Sequence, residues 1–184
     1  MKAKYLLPFV VIFFLFSFQL DEEVEDIGII WRSERPLTWK DFSGKVDSES
    51  PYDAWTYSGI WYVYSWYYDN NTIRPDLNAM AYFDPEQSWI KKGKMTPELL
   101  AHEQQHFNIS ELHCRYFQER VDKCTYTLNV EAEIDSIYAV VHEEMLAMHI
   151  KYDEETDHFR NLEGQKKWNQ FISDELTRLA KYSE

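Results

Sequence analysis

Cysteine is scarce in this chain of 184 residues, and positive charge is outnumbered. There are 2 Cys, and 19 Lys and Arg stand against 32 Asp and Glu for a net charge of −13. So acidic a surface repels phosphate backbones, and no basic stripe with interleaved aromatics offsets it, which argues against nucleic acid as a partner. Cys114 and Cys124 lack the C-x-x-C spacing of a metal site. They leave open either one disulfide, permitted by export, or two small buried apolar side chains. A membrane-spanning run is also missing. The longest apolar stretch, residues 5–18, is about 14 residues where a span needs about 20. It follows Lys2 and Lys4 and gives way to Asp21, Glu22 and Glu23, which fits an export signal over residues 1–20. No A-x-A cleavage site follows, Ser17 being the best small residue near the end, so an uncleaved N-terminal anchor stays open. No Cys near the run can carry a lipid. The expectation is an exported protein, periplasmic or secreted, with residues 21–28 as linker and 29–184 as one domain. It would meet a membrane only through residues 5–18.

Aromatic residues, by contrast, are plentiful: 7 Trp, 13 Tyr and 11 Phe supply ample material for a packed core. From residue 29 to about 83 the signals are those of strands and turns. Residues 53–67 are dense in aromatic and β-branched types, Asp69-Asn70-Asn71 is a turn signal, and residues 72–83 alternate apolar and polar. A long antiparallel hairpin is predicted, with Pro75 marking an edge or bulge. After Lys94 the period changes to 3.6. Thr96, Pro97 and Glu98 form a helix start, and Leu99, His102, His106, Ile109, His113 and Tyr116 share one face. Further helices are predicted over about 130–150 and 161–182. The predicted fold is α+β: an N-terminal twisted antiparallel sheet, then about three helices.

The first of these helices carries His102-Glu103-Gln104-Gln105-His106. Residues i and i+4 lie on one face about 6 Å apart, so two imidazoles can close on one metal ion. Glu103 sits one step round the helix, where it can take a proton from a metal-bound water. Zinc lowers the pKa of that water towards neutrality, and the same proton can pass to a leaving amine. The pattern points to Zn2+ and to hydrolysis, with a peptide or protein substrate by analogy.

A catalytic zinc takes a third protein ligand. His113 is excluded, because seven residues beyond His106 is about 10 Å along the axis. Glu131 and Asp135 on the second predicted helix form a Glu-x-x-x-Asp pair in which Glu131 is one candidate. The stretch 152–158 is another: His158 could ligate, with Asp153 or Thr156 orienting it or the water. His142 and His149 show no partner pattern and are read as structural or surface residues.

The segments LTWKDFSG (37–44), LLAHEQQHFNISEL (99–112) and YDEETDH (152–158), with Gln165 and Trp168, together with the aromatic hairpin, make the chain resemble a bacterial family. That family is described as secreted zinc-dependent proteases and is otherwise a domain of unknown function. The resemblance runs over about 30–180. It implies export and an HExxH site, and it maps Tyr152, Asp153, Thr156 and His158 onto a downstream Tyr-Asp-x-x-Thr-x-His element. It raises His158 above Glu131 as third ligand. A Gly is expected after that His, where this chain has Phe159. The resulting expectation is a zincin-like fold, its HExxH helix the first of the three, and a zinc peptidase with His102, His106 and His158 on the metal and Glu103 as general base. Tyr152 would stabilise the oxyanion, with Asp153 or Glu131 as supporting or alternative ligands. Substrate would pair with an edge strand near residues 78–83, where Asn78 and Tyr82 would line the cleft. The rival expectation is a non-catalytic envelope protein whose aromatic hairpin is an interaction surface and whose zinc is structural or absent.

Overall fold

A computed structural model describes residues 27–183. The expected export signal and most of the expected linker lie outside the described residues. Five strands precede three long helices: β1 Ile29–Ile30, β2 Ala54–Trp55, β3 Ser58–Asp69, β4 Thr72–Phe83, β5 Trp89–Ile90, α1 Pro97–Lys123, α2 Val130–Thr156 and α3 Leu162–Arg178. The fold is α+β, as the change of hydrophobic period predicts.

The hairpin β3–β4 pairs in register from Ser58↔Phe83 to Asp69↔Thr72. Asn70 and Asn71 turn it with φ of 47° and 62°. Asn tolerates this left-handed conformation, and the resulting turn matches the twist of the strands. Sheet order is β1-β4-β3, while β2 and β5 form a separate pair. β4 is therefore central where β1 covers it, with Ile29 opposite Phe83 and Ile30 opposite Tyr82. With Trp31 donating to the Ala81 carbonyl, that corrects the expectation of a substrate-binding edge over residues 78–83 at its 81–83 end. Pro75 lies beyond the reach of β1, where a missing N–H costs no ladder bond on that side.

α1 begins as its sequence dictates: the Thr96 hydroxyl accepts from the Leu99 amide at 3.1 Å, and Pro97 occupies the first helical position. Its inner face lies on the sheet. Phe107 meets Phe83 at 5.8 Å between ring centres, and Phe117 meets Tyr62 at 5.0 Å. Phe83, Phe107, Ile109 and Phe117 are fully buried, each contributing about 1.5–3 kcal/mol through removal from water. His113 packs on the same helix and donates from Nδ1 to the Ile109 carbonyl, 2.8 Å away. Cys114 and Cys124 are not joined by a disulfide. Ten residues of helix separate them by roughly 15 Å, beyond disulfide reach.

α2 runs past the expected end near residue 150 to Thr156. Residues 151–156 contain neither Gly nor Pro, and the Thr156 hydroxyl bonds back to the Tyr152 carbonyl at 2.7 Å, so nothing stops the helix earlier. It ends on three successive left-handed residues, Asp157, His158 and Phe159, with φ of 47°, 47° and 70°. The expected family Gly falls on Phe159, a position whose backbone favours Gly. α3 begins at the Asn161 cap, whose side chain accepts from Gly164. It stops at Arg178, short of the expected 182, and a 3-10 turn covers Ala180–Tyr182. A Cβ at Gly164 would stand 2.2 Å from the Glu155 carbonyl oxygen, so this glycine is what lets α3 close on α2.

Candidate metal centre

The extension of α2 decides the site. Carried six residues further than expected, the helix brings Asp153 over the His102–His106 pair of α1. Asp153 Oδ1 lies 3.1 Å from His102 Nε2 and 3.1 Å from His106 Nε2. These three residues form a group whose donor atoms all lie within 4.8 Å of one another. His158, on the left-handed turn, places Nδ1 3.4 Å from the same oxygen and rests its ring on Tyr52 at 4.9 Å. It is not a member of the three-residue group.

Charge tests whether a cation fits. Burial alone would raise the Asp153 carboxyl, but hydrogen bonds and charge from His102 and His106 outweigh it and hold the group far below the usual carboxylate range. Burial alone would likewise lower His106. The bond and charge of Asp153, with the charge of Glu103, raise it instead. A carboxylate oxygen thus faces two ring nitrogens that either hold protons against it or turn their lone pairs to a shared cation. Ligands bound at 2.0–2.1 Å in a tetrahedral shell stand about 3.3 Å apart, close to the spacings found here. Two imidazoles and one carboxylate suit a divalent ion of the zinc kind.

The remaining ring nitrogens are also engaged. His102 Nδ1 lies 3.1 Å from Gln165 Oε1 on α3, and His106 Nδ1 lies 2.9 Å from His149 Nδ1 on α2. Burial first, then the charges of His106 and His113, push His149 well below its ordinary value. Glu103 is nearly buried and accepts from the Thr56 hydroxyl through Oε2 at 2.7 Å. That contact leaves Oε1 as the oxygen available for a proton.

All of this opens into a cleft of about 670 Å³ lined by residues 51–58, α1, the end of α2 and residues 158–160. The strand at the cleft is β2. Lys91 donates to the Asp53 carbonyl, and Ala54 stands opposite Ile90. The amide and carbonyl of Ala54 therefore point away from β5, and Ala54 lines the cleft. Asn78 and Tyr82 do not line it.

Two further expectations change. Glu131 sits in the first turn of α2, roughly 30 Å from Asp153 at 1.5 Å per residue, and cannot share its ion. Tyr152 is fully buried and stacks on the His102 ring at 4.6 Å. Its hydroxyl lies 3.3 Å from the His102 carbonyl and 2.7 Å from Gln165 Nε2. It backs His102 from behind and is not among the residues lining the cleft, which removes it as an oxyanion donor. Burial foremost raises its hydroxyl above the ordinary value. Sequence reasoning assigned no role to Thr56, His149 or Gln165. His149 and Asp153 are four apart, a His-x-x-x-Asp face that the end of α2 could have disclosed. Thr56 has no local signal.

An α+β protein with a two-histidine, one-aspartate group at the floor of a cleft is the class these features define. Residues 69–159 match a family described as "Bacterial protein of unknown function (DUF922)". The match spans the hairpin turn to Phe159, and so includes both histidines, Glu103, Asp153 and His158. No curated protein and no solved structure matches the chain.

Proposed function

We propose that this protein is a zinc-dependent hydrolase acting on peptide bonds, with the metal held by His102, His106 and Asp153. The observation that carries the reading is the meeting of both histidine Nε2 atoms on one Asp153 oxygen, beside a carboxylate that has one oxygen committed and one free. A bound zinc ion would lower the pKa of a water and polarise a carbonyl. Glu103 takes the water's proton on Oε1, while Thr56 holds Oε2, and returns it to the departing amine. The same three donors also suit ferrous iron. Glu103, one residue from His102 and nearly buried in the cleft, favours hydrolysis and hence zinc. His158, beside Asp153 at the cleft mouth, is in reach to steady its carboxylate or a bound water.

Peptide as substrate is supported by the strand beside the site. Ala54 is buried in the cleft wall, and what β2 offers an extended chain there is this one residue's amide and carbonyl, turned away from β5. Leu146 and Ile150, exposed on α2 and lining the cleft, offer it an apolar wall. Export remains part of the proposal. Among the described residues no helix is long and apolar enough to cross a membrane.

The test is elemental analysis of gently purified protein. Near-stoichiometric zinc, lost in His102→Ala, is expected; a wild-type protein without zinc overturns the reading. Glu103→Gln should keep the metal while cleavage of an unfolded protein substrate is lost, and unchanged turnover removes Glu103 from its role.

A further inference from the structure

The two histidines are each held from behind by a side chain on a helix other than their own. We infer that Gln165 and His149 are positioning residues that fix His102 and His106 in the one tautomer able to bind a metal through Nε2. The inference rests on the proposed metal reading but concerns residues that reading does not use.

A neutral imidazole carries one hydrogen. If Nε2 is to give its lone pair to a metal, the hydrogen must be on Nδ1, and a buried Nδ1–H needs an acceptor. For His102 that acceptor is Gln165 Oε1 at 3.1 Å. The amide is oriented by Asn169, whose Oδ1 accepts from Nε2 at 2.7 Å, while the Tyr152 hydroxyl bridges both ends, accepting from Nε2 at 2.7 Å and lying 3.0 Å from Oε1. With both hydrogens of the amide nitrogen directed away, the oxygen is what faces His102. The Tyr152 ring, stacked on His102 at 17°, fixes the plane in which that bond is made.

For His106 the partner is His149 Nδ1 at 2.9 Å. Only one of those two nitrogens can carry the hydrogen. If His149 carries it, His106 must present a lone pair backwards and an N–H towards Asp153, which closes the metal position. If His106 carries it, His149 accepts, and His106 Nε2 is free to ligate. His149 is placed for this by helix geometry, one turn before Asp153 on α2, so one helix face supplies both the third ligand and the partner of the second.

Neither partner is a carboxylate. A carboxylate in either place would add negative charge to a site already holding Asp153 and Glu103, making the histidines stronger donors and the metal a weaker acid. Neutral acceptors orient the rings and leave the ion electron-poor.

The experiment is zinc affinity of the full chain, measured by competition with a chromophoric chelator, alongside the cobalt(II) absorption spectrum. Gln165→Leu and His149→Leu each remove an acceptor and are expected to weaken zinc by about 10–100-fold. Gln165→Glu keeps an acceptor oxygen, and His149→Asn places an amide oxygen where Nδ1 stood. Both are expected to stay near wild-type affinity, Gln165→Glu at or above it, with a wild-type cobalt spectrum. Leu variants within twofold of wild type overturn the inference. So do Glu and Asn variants as weak as their Leu counterparts, since packing alone would then explain the loss. A wild type that binds no zinc overturns the metal reading itself, whereas equal, tight binding by all five proteins overturns only the inference drawn here.

Discussion

Asp153 and His158 lie within 3.4 Å of each other, yet their surroundings assign them different work. Asp153 puts one oxygen between two histidine nitrogens, while His158 stands at the rim, about one-third exposed, on Tyr52. Asp153→Asn is therefore expected to lose zinc by two orders of magnitude or more, and His158→Ala to keep it within a few-fold. Zinc titration of the two variants reads the difference, and the reverse order would return His158 to the place the family resemblance gives it. The same residues set a pH dependence. A proton on His106 must leave before Nε2 can ligate, and its pKa is raised above 6.5 by Asp153 and Glu103. Asp153, held far below its usual range, needs no such release near neutrality. Zinc affinity of the metal-free protein should thus fall as pH drops and keep rising above pH 6.5, until His106 has lost its proton. An affinity flat from pH 6 to 8 would show that no proton leaves His106 on binding in that range, and that Asp153 and Glu103 do not raise it.

Among the elements, the end of α2 matters most, and it is also where sequence reading fell short. The start of α1 was legible because Thr96-Pro97 is a local signal with a local cause. The hairpin was legible because Asn-Asn turns and alternating strands are local too. The stop of α2 was not, since it is made by three residues in a conformation that their side chains do not announce. Six residues of misplaced helix end were enough to make Asp153 look secondary to His158. That turn also stores strain that substitution can release. Asp157→Gly removes a Cβ from an exposed left-handed position and is expected to stabilise by about 0.5–1 kcal/mol. Gly164→Ala works the other way, driving a methyl into the Glu155 carbonyl at a cost of about 1–3 kcal/mol. Because Gly164 adjoins Gln165, the variant should also loosen zinc. Thermal unfolding checks the first pair of effects, and a Gly164→Ala protein as stable as wild type would mean that α3 sits further from α2.

At the scale of the whole molecule, the candidate centre joins parts that local sequence could not connect. α1 supplies two donors, α2 the third, α3 and α2 the acceptors behind them, and the β2–β3 junction the hydroxyl on Glu103. Such pairings arise only from tertiary packing, which is why the HExxH pair could be read from five consecutive residues and Thr56 and Gln165 could not. A metal there acts as a cross-link between helices that otherwise meet through side-chain packing. An ion that binds only the folded chain stabilises it by about 2.7 kcal/mol when its free concentration is a hundredfold above the dissociation constant. For a domain of this size each kcal/mol shifts Tm by about 2–4 °C, so zinc should raise Tm by about 5–10 °C and a chelator should reverse the rise. His102→Ala should unfold at one temperature with or without zinc. A wild-type Tm indifferent to both zinc and chelator would mean that the two helices are not joined by an ion, and that Asp153 holds protons between His102 and His106 in the working protein.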